Sequence, residues 1–216
     1  MDHRTRILAA VILTFVVTFS VGFVTENIRE SMTFLWTIEE GQEFVFAVKV
    51  TGITTTNYSV SPPPFVEMNN TYIRVEILSL PNVTIIFYAD TFLKNIVEPI
   101  KTSSSFSNGT DIPTEFRFII NRHISQCILP VGGWRHLDFF FPNQIDIPFV
   151  EHESYISKFY GNSFYFGYSI NATNEAQDWY GIIDLETGVP HIVSFWFFRT
   201  SRVLTYWYNV TMNLVT

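Results

Sequence analysis

Cysteine is nearly absent: the 216-residue chain has one, Cys127. No intramolecular disulfide can form, so packing and hydrogen bonds must hold the fold together. Charge is scarce as well, at 15% of residues, and its balance is acidic, with 13 Lys and Arg against 20 Asp and Glu for a net −7. An acidic chain without a basic stripe is repelled by phosphate backbones, which argues against nucleic acid as a partner. Metal-ligand spacings, a Gly-x-Ser-x-Gly elbow and a phosphate-cradling glycine loop are missing. Long apolar runs are missing too, with one exception.

That exception is Ile7 to Val24, 18 residues without a charge, Asn, Gln or Pro, behind a basic head from Met1 to Arg6. At about 1.5 Å per residue such a run reaches about 27 Å, close to the hydrocarbon thickness of a bilayer. It reads as a signal peptide or an N-terminal membrane anchor. Ser20 and Gly22 offer small residues for cleavage after Gly22, but the run continues through Phe23 and Val24, which favours retention. Arg4 and Arg6 hold the N-terminus in the cytoplasm, so residues 25–216 are expected as one extracytoplasmic domain, with the membrane as a partner through residues 7–24. No second run of that length argues for a polytopic protein.

What is present is apolar and aromatic. Hydrophobic residues make up 47% and aromatics 17%, with 22 Phe, 10 Tyr and 5 Trp, far more than a disordered stalk carries. Cys127 sits in Cys127-Ile128-Leu129 and reads as a small buried hydrophobe. Asn-x-Ser/Thr sequons at Asn57, Asn69, Asn82, Asn108, Asn171 and Asn209 suit a glycosylated surface domain and predict exposure of each modified Asn.

The pattern along the chain is mainly β. Phe34, Trp36 and Ile38 alternate with polar residues, Glu40-Gly41-Gln42 turns the chain, and Phe44 to Val50 alternates again, which predicts a hairpin. Thr54 to Pro64 predicts a long loop, Thr71 to Ser79 a half-buried strand, and Val83 to Tyr88 a strand covered on both faces. Asp90 to Glu98 fits either a short strand or a helical turn. Lys101 to Thr110 reads as a loop, and Asp111 to Ile124 is helical or extended. An irregular, partly helical insert is expected from about Ile119 to Tyr160, with a short helix in Glu151 to Tyr160. Four strands close the chain: Ser163 to Asn171, Asp178 to Leu185, Val189 to Arg199 and Leu204 to Val215. Gly188 stands where a left-handed residue completes the Asp184-to-Gly188 turn. The last strand puts Leu204, Tyr206, Tyr208, Val210, Met212 and Leu214 on one face. The expected architecture is an antiparallel curved sheet or half-barrel with a partly helical middle insert, preceded by the N-terminal transmembrane or signal helix.

The Trp36-to-Val50 hairpin, the Leu129-Pro130-Val131-Gly132-Gly133-Trp134 segment and the Asp184-to-Gly188 turn together resemble uncharacterised archaeal secreted or membrane-anchored surface proteins. The order of strands, irregular middle and terminal meander is similar to the half-barrel lipoprotein carriers that hold acyl chains in a concave sheet. That resemblance implies an apolar ligand, although the cysteine that would carry a lipid directly after the signal core is lacking here.

Catalytic chemistry has little to stand on. Past Val24 the histidines are His123, His136, His152 and His191, and neither His136 with Asp138 nor Glu151-His152-Glu153 matches a ligand signature. They read as solvated loop residues, and neither a metal nor a cofactor is expected. Aromatics remain the functional candidates: Trp134, Phe166, Trp179, Phe195, Trp196 and Phe197 are the residues expected to line an apolar cavity. The Phe195-to-Phe198 run, apolar on both faces, is the main argument, because one face needs a cover. The expectation is a non-enzymatic domain that binds a lipid-like ligand or a partner protein of the cell envelope. A structural or adhesive envelope protein with a filled core is the alternative, and a secreted hydrolase with a non-locally assembled site is the third.

Overall fold

The computed structural model describes residues 12, 14–18, 20, 34–83, 99–132, 145, 146 and 152–215. The strands are β1 (Glu43–Thr56), β2 (Val60–Ser61), β3 (Thr71–Ser79), β4 (Lys101–Phe106), β5 (Ile145–Asp146), β6 (His152–Tyr160), β7 (Ser163–Asn171), β8 (Glu175–Asp184), β9 (Pro190–Thr200) and β10 (Leu204–Leu214). Helix α1 (Thr114–Gln126) lies between β4 and β5, a 3₁₀ turn, Val66–Met68, precedes β3, and residues 12, 14–18 and 20 are helical. Every pairing is antiparallel, in the order β4-β3-β1-β10-β9-β8-β7-β6-β5, with β2 attached to β1. Nine strands thus form one path, and among the described residues its ends do not join.

Local chemistry sets the meander. Strands β6 to β10 follow one another as neighbours, the cheapest connection for an antiparallel sheet. At the β8–β9 turn the Asp184 carboxylate accepts from the backbone N–H groups of Glu186 and Thr187, at 2.9 and 2.7 Å, and Gly188 takes φ +67°. A Cβ on Gly188 would run into the carbonyl of Leu129, so the turn also fits the chain that crosses it. The two halves of the sequence join where β1 pairs with β10, from Phe46↔Leu214 to Thr56↔Leu204.

Alternation then sorts the side chains. The inner face carries Phe46, Val48 and Val50 of β1, Ile73, Val75 and Ile77 of β3, Phe164 and Phe166 of β7, Val193 and Phe195 of β9, and Val210 and Met212 of β10, all buried. Helix α1 covers this face with Ile120 and Ile124, four residues apart on one side, and Cys127, Ile128 and Leu129 continue the cover beyond its end. Phe65 and Met68 fill the space between helix and strands.

Several expectations need correction. Residues 34–42 do not pair with β1 as a hairpin: Leu35 forms an isolated bridge with Val131, and Phe34 and Ile38 are buried as a packed coil. Their alternation reflects burial, while the partners of β1 are β3 and β10. The expected loop from Thr54 is partly strand, since β1 runs to Thr56 and turns tightly into β2. Lys101 to Phe106 is the edge strand β4. Its serines are there because α1 lies close, with the Thr102 hydroxyl donating to the carbonyl of Asn121 at 3.1 Å and Ser104 buried. The irregular insert ends early: α1 stops at Gln126, and His152 to Tyr160 is a full strand paired with β7, with no short helix in it. Most of Val83 to Tyr88, all of Asp90 to Glu98, and Trp134 lie outside the described residues. So does most of the 7–24 segment, and no helix among the described residues is long and apolar enough to cross a membrane.

One glycine is indispensable to this packing. Gly52, in mid-β1 with φ +146°, faces Tyr208, and a Cβ there would stand 2.7 Å from the Tyr208 Cα and 3.0 Å from the Pro63 Cβ. Gly52→Ala is expected to cost about 1–3 kcal/mol for the backbone conformation alone. For a domain this size that lowers Tm by at least about 2–4 °C per kcal/mol, measured by thermal denaturation. An unchanged Tm would show that β1 and β10 do not approach as described.

Candidate functional site

Between α1 and the inner face of β7 to β10 the packing opens into a groove of about 360 Å³. Its sheet side is aromatic, with Tyr168, Trp179, Phe197 and Tyr208, and Gln177 beside them. Its helix side carries Phe118, Ile119, Arg122, His123 and Gln126. The rings hold one another in place. Phe197 stacks on Tyr208 with centroids 5.7 Å apart and on Tyr206 at 5.5 Å, and the His123 imidazole stacks on Phe195 at 4.7 Å with planes 22° apart. Trp179 meets Phe166 edge-on at 5.3 Å.

Polar groups make up about half of the groove surface, from His123, Gln126, Gln177, the tyrosine hydroxyls and the exposed Arg122. Burial pulls the His123 pKa down from 6.5 to about 3, the Arg122 guanidinium adds to the fall, and a side-chain hydrogen bond with Gln126 opposes it. The imidazole is therefore uncharged at neutral pH. Its Nδ1 and the Gln126 Oε1 are both out of contact with water, and the hydrogen bond between the two side chains departs from ideal geometry. Tyr208 is pushed up to about 12 by burial, with Tyr206 adding to it, and stays a neutral phenol.

The sequence candidates separate in space. Phe166, Trp179, Phe195 and Phe197 share the inner face. Phe166 is fully buried and Phe195 is 3% exposed, so both are packed core behind the groove; Trp179, at 8%, and Phe197 line it. Trp196 points to the opposite, outer face of β9. His123 is no solvated loop residue: it is helical and set between Phe195 and Trp179. His191 lies on β9 with its Nε2 3.4 Å from Asp184 Oδ2. His136, Glu151 and the side chain of His152 fall outside the described residues. Sequence reasoning missed His123, Gln126 and Tyr208 as groove residues. The signal that could have found the helix was Ile120, Ile124 and Cys127, spaced as one helical face.

Of the sequons, Asn57, Asn69, Asn82, Asn108 and Asn171 are exposed, whereas Asn209 is half-buried in the middle of β10. Asn57, Asn69, Asn108 and Asn171 adjoin strand ends that point away from residues 34–42. Asn82 lies at the near end, next to Pro81, whose carbonyl accepts from the Trp36 indole N–H at 2.7 Å.

No family model matches the chain, and no curated protein matches it. Among solved structures, transferrin binding protein B of Haemophilus parasuis is similar over 85% of this chain, with 7% identity and a TM-score of 0.24. The match takes in 29% of that protein's own length. At this level it carries no functional argument.

His123 makes stability depend on pH in a defined direction. In the unfolded chain it takes a proton below about 6.5, but the folded protein does not accept one until about 3. Stability is therefore complete above pH 6.5 and falls as pH drops toward 3. Between pH 7.5 and 5.5 the wild type is expected to lose about 1 kcal/mol more than His123→Phe, read from urea midpoints. Equal losses would show that the imidazole is hydrated in the folded state.

Proposed function

We propose that this chain is a non-enzymatic extracytoplasmic domain, tethered through residues 7–24, that holds a lipid-like ligand in the groove beneath α1. The observation that carries the reading is the composition of that groove: an aromatic wall from Tyr168, Trp179, Phe197 and Tyr208 facing a helix that buries the uncharged His123–Gln126 pair. The wall suits an apolar body, and the neutral His123–Gln126 pair suits a hydrogen-bonding head group. Charge is concentrated at one exposed residue, Arg122, at the rim.

Two further features support the reading. Helix α1 packs on β4 and also on β8 and β9, which lie far along the strand order, so the sheet bends round the helix in the manner of a half-barrel. Four of the five exposed sequons, Asn57, Asn69, Asn108 and Asn171, adjoin strand ends away from residues 34–42, which suits a domain presented outward from a tether at that end. The likeness to archaeal surface proteins rests on its short segments alone.

The test is native mass spectrometry of the full chain, purified in mild detergent from its own type of cell. A co-purifying mass is expected that organic extraction removes and added long-chain lipid restores. Phe197→Ala, which strips one wall, is expected to weaken reloading about tenfold, equivalent to about 1.4 kcal/mol. An apo protein that takes up no lipid would overturn the proposal.

A further inference from the structure

The outer face of the same sheet carries a second pocket, of about 290 Å³, whose lining shares Tyr168 and Trp179 with the groove and is otherwise its own. Strand pairing explains its shape. Asp178, Trp196 and Asn209 are direct cross-strand neighbours on β8, β9 and β10, and the next row holds Gly167, Tyr180 and Ser194. Gly167 has no side chain and Ser194 has a small one, so the second row is a hollow beside the first. A Cβ on Gly167 would stand 2.8 Å from the Tyr180 Cβ, so Tyr180 overhangs that position. Tyr165 stacks on Tyr180 at 5.1 Å and closes that side. The Trp196 ring lies parallel to that of Phe198, with centroids 6.2 Å apart and planes 7° apart, and lines the hollow together with Ser194.

The polar groups are directional. The Ser194 hydroxyl, 3% exposed, donates to Asn209 Oδ1 at 3.0 Å, which fixes the amide and turns its NH₂ outward. Asp178 is exposed, and among the described residues no cation pairs with it. A flat indole face thus lies between a fixed donor on one side and a free acceptor on the other. Neighbouring strands are about 4.8 Å apart, so the donor and acceptor backbones are about 10 Å apart. That suits one pyranose ring with a hydrogen bond of about 2.8 Å at each edge.

We infer that the outer-face pocket built on Trp196, Asp178 and Asn209 is a saccharide site, taking one hexose ring with its C–H face on the indole. A compact organic cation fits less well. It needs rings enclosing it, whereas here Tyr165 is stacked on Tyr180 and Trp196 on Phe198. The site also accounts for Asn209. Its amide is held by Ser194 within a central strand, so this sequon is the one expected to stay unmodified while its nitrogen serves the ligand.

The test is a glycan array probed with the full chain, followed by tryptophan-fluorescence titration with methyl glycosides of the hexoses retained. Binding to at least one hexose class is expected. It should weaken about tenfold or more in Trp196→Ala and in the shape-conserving Asp178→Asn. Trp207→Ala, on the same face outside the pocket, should leave it unchanged. Peptide mapping of protein from its own cells should find Asn209 bare. The inference is overturned if no glycan is retained, if retained glycans bind Trp196→Ala and Asp178→Asn as well as the wild type, if tetramethylammonium binds in place of sugars, or if Asn209 carries a glycan. The site lies across the sheet from the lipid groove, so its failure leaves the groove reading untouched.

Discussion

The inner layer depends on one ring, Phe65. The residue holds φ +66°, a left-handed conformation that costs a non-glycine residue about 1–2 kcal/mol. Its side chain is 2% exposed and touches Phe116 on α1 at 4.4 Å, Tyr208 on β10 at 5.1 Å and Phe195 on β9 at 5.5 Å. Removing such a ring from a core costs about 3–5 kcal/mol, so burial outweighs the backbone penalty. Pro62-Pro63-Pro64 stiffens the approach, and behind the ring the Asn69 carboxamide accepts from the Val50 N–H at 2.9 Å, fixing the 3₁₀ turn to β1. Helix and sheet are held apart by the width of this ring. The groove opens beside it, between α1 and the sheet, where Tyr208 lines the wall that Phe65 also touches.

How much of this was legible depends on what each strand faces. Thr71 to Ser79 and the four terminal strands were readable because one face is buried and the other half-exposed, which makes a two-residue period visible. Lys101 to Phe106 was not. A strand beneath a helix needs small side chains, and a run of serines looks like a loop. Phe34 and Ile38 misled in the other direction, since two buried residues of a coil imitate alternation.

The site divides along the same line. Trp179 and Phe197 were nameable as bulky aromatics of the terminal strands, but so were Phe166, Phe195 and Trp196, which do not line the groove. In Phe195-Trp196-Phe197-Phe198 every residue is apolar, so alternation carries no sign of which pair turns inward; only the register with β10 decides it. His123 and Gln126 were invisible for a different reason. On a helix with polar and apolar residues intermixed, a buried imidazole and a solvated one have the same sequence neighbours. What distinguishes His123 is Phe195, some seventy positions further along the chain. The consequence for the molecule is that β8 and β9 each present different chemistry on their two sides, aromatic cover for α1 within and a polar, aromatic hollow without.

The crossing of Cys127 over Gly181 has a practical side. The thiol is fully buried, a Cβ on Gly181 would stand 2.7 Å from its sulfur, and burial drives its pKa well above the ordinary range. A thiolate forms there only when the end of α1 lifts off β8. With a single sulfhydryl in the chain, alkylation by a small reagent becomes a one-site clock for that opening. The same geometry guards against dimer cross-links in an oxidising compartment: two chains can be joined through sulfur only after both have come apart at the helix.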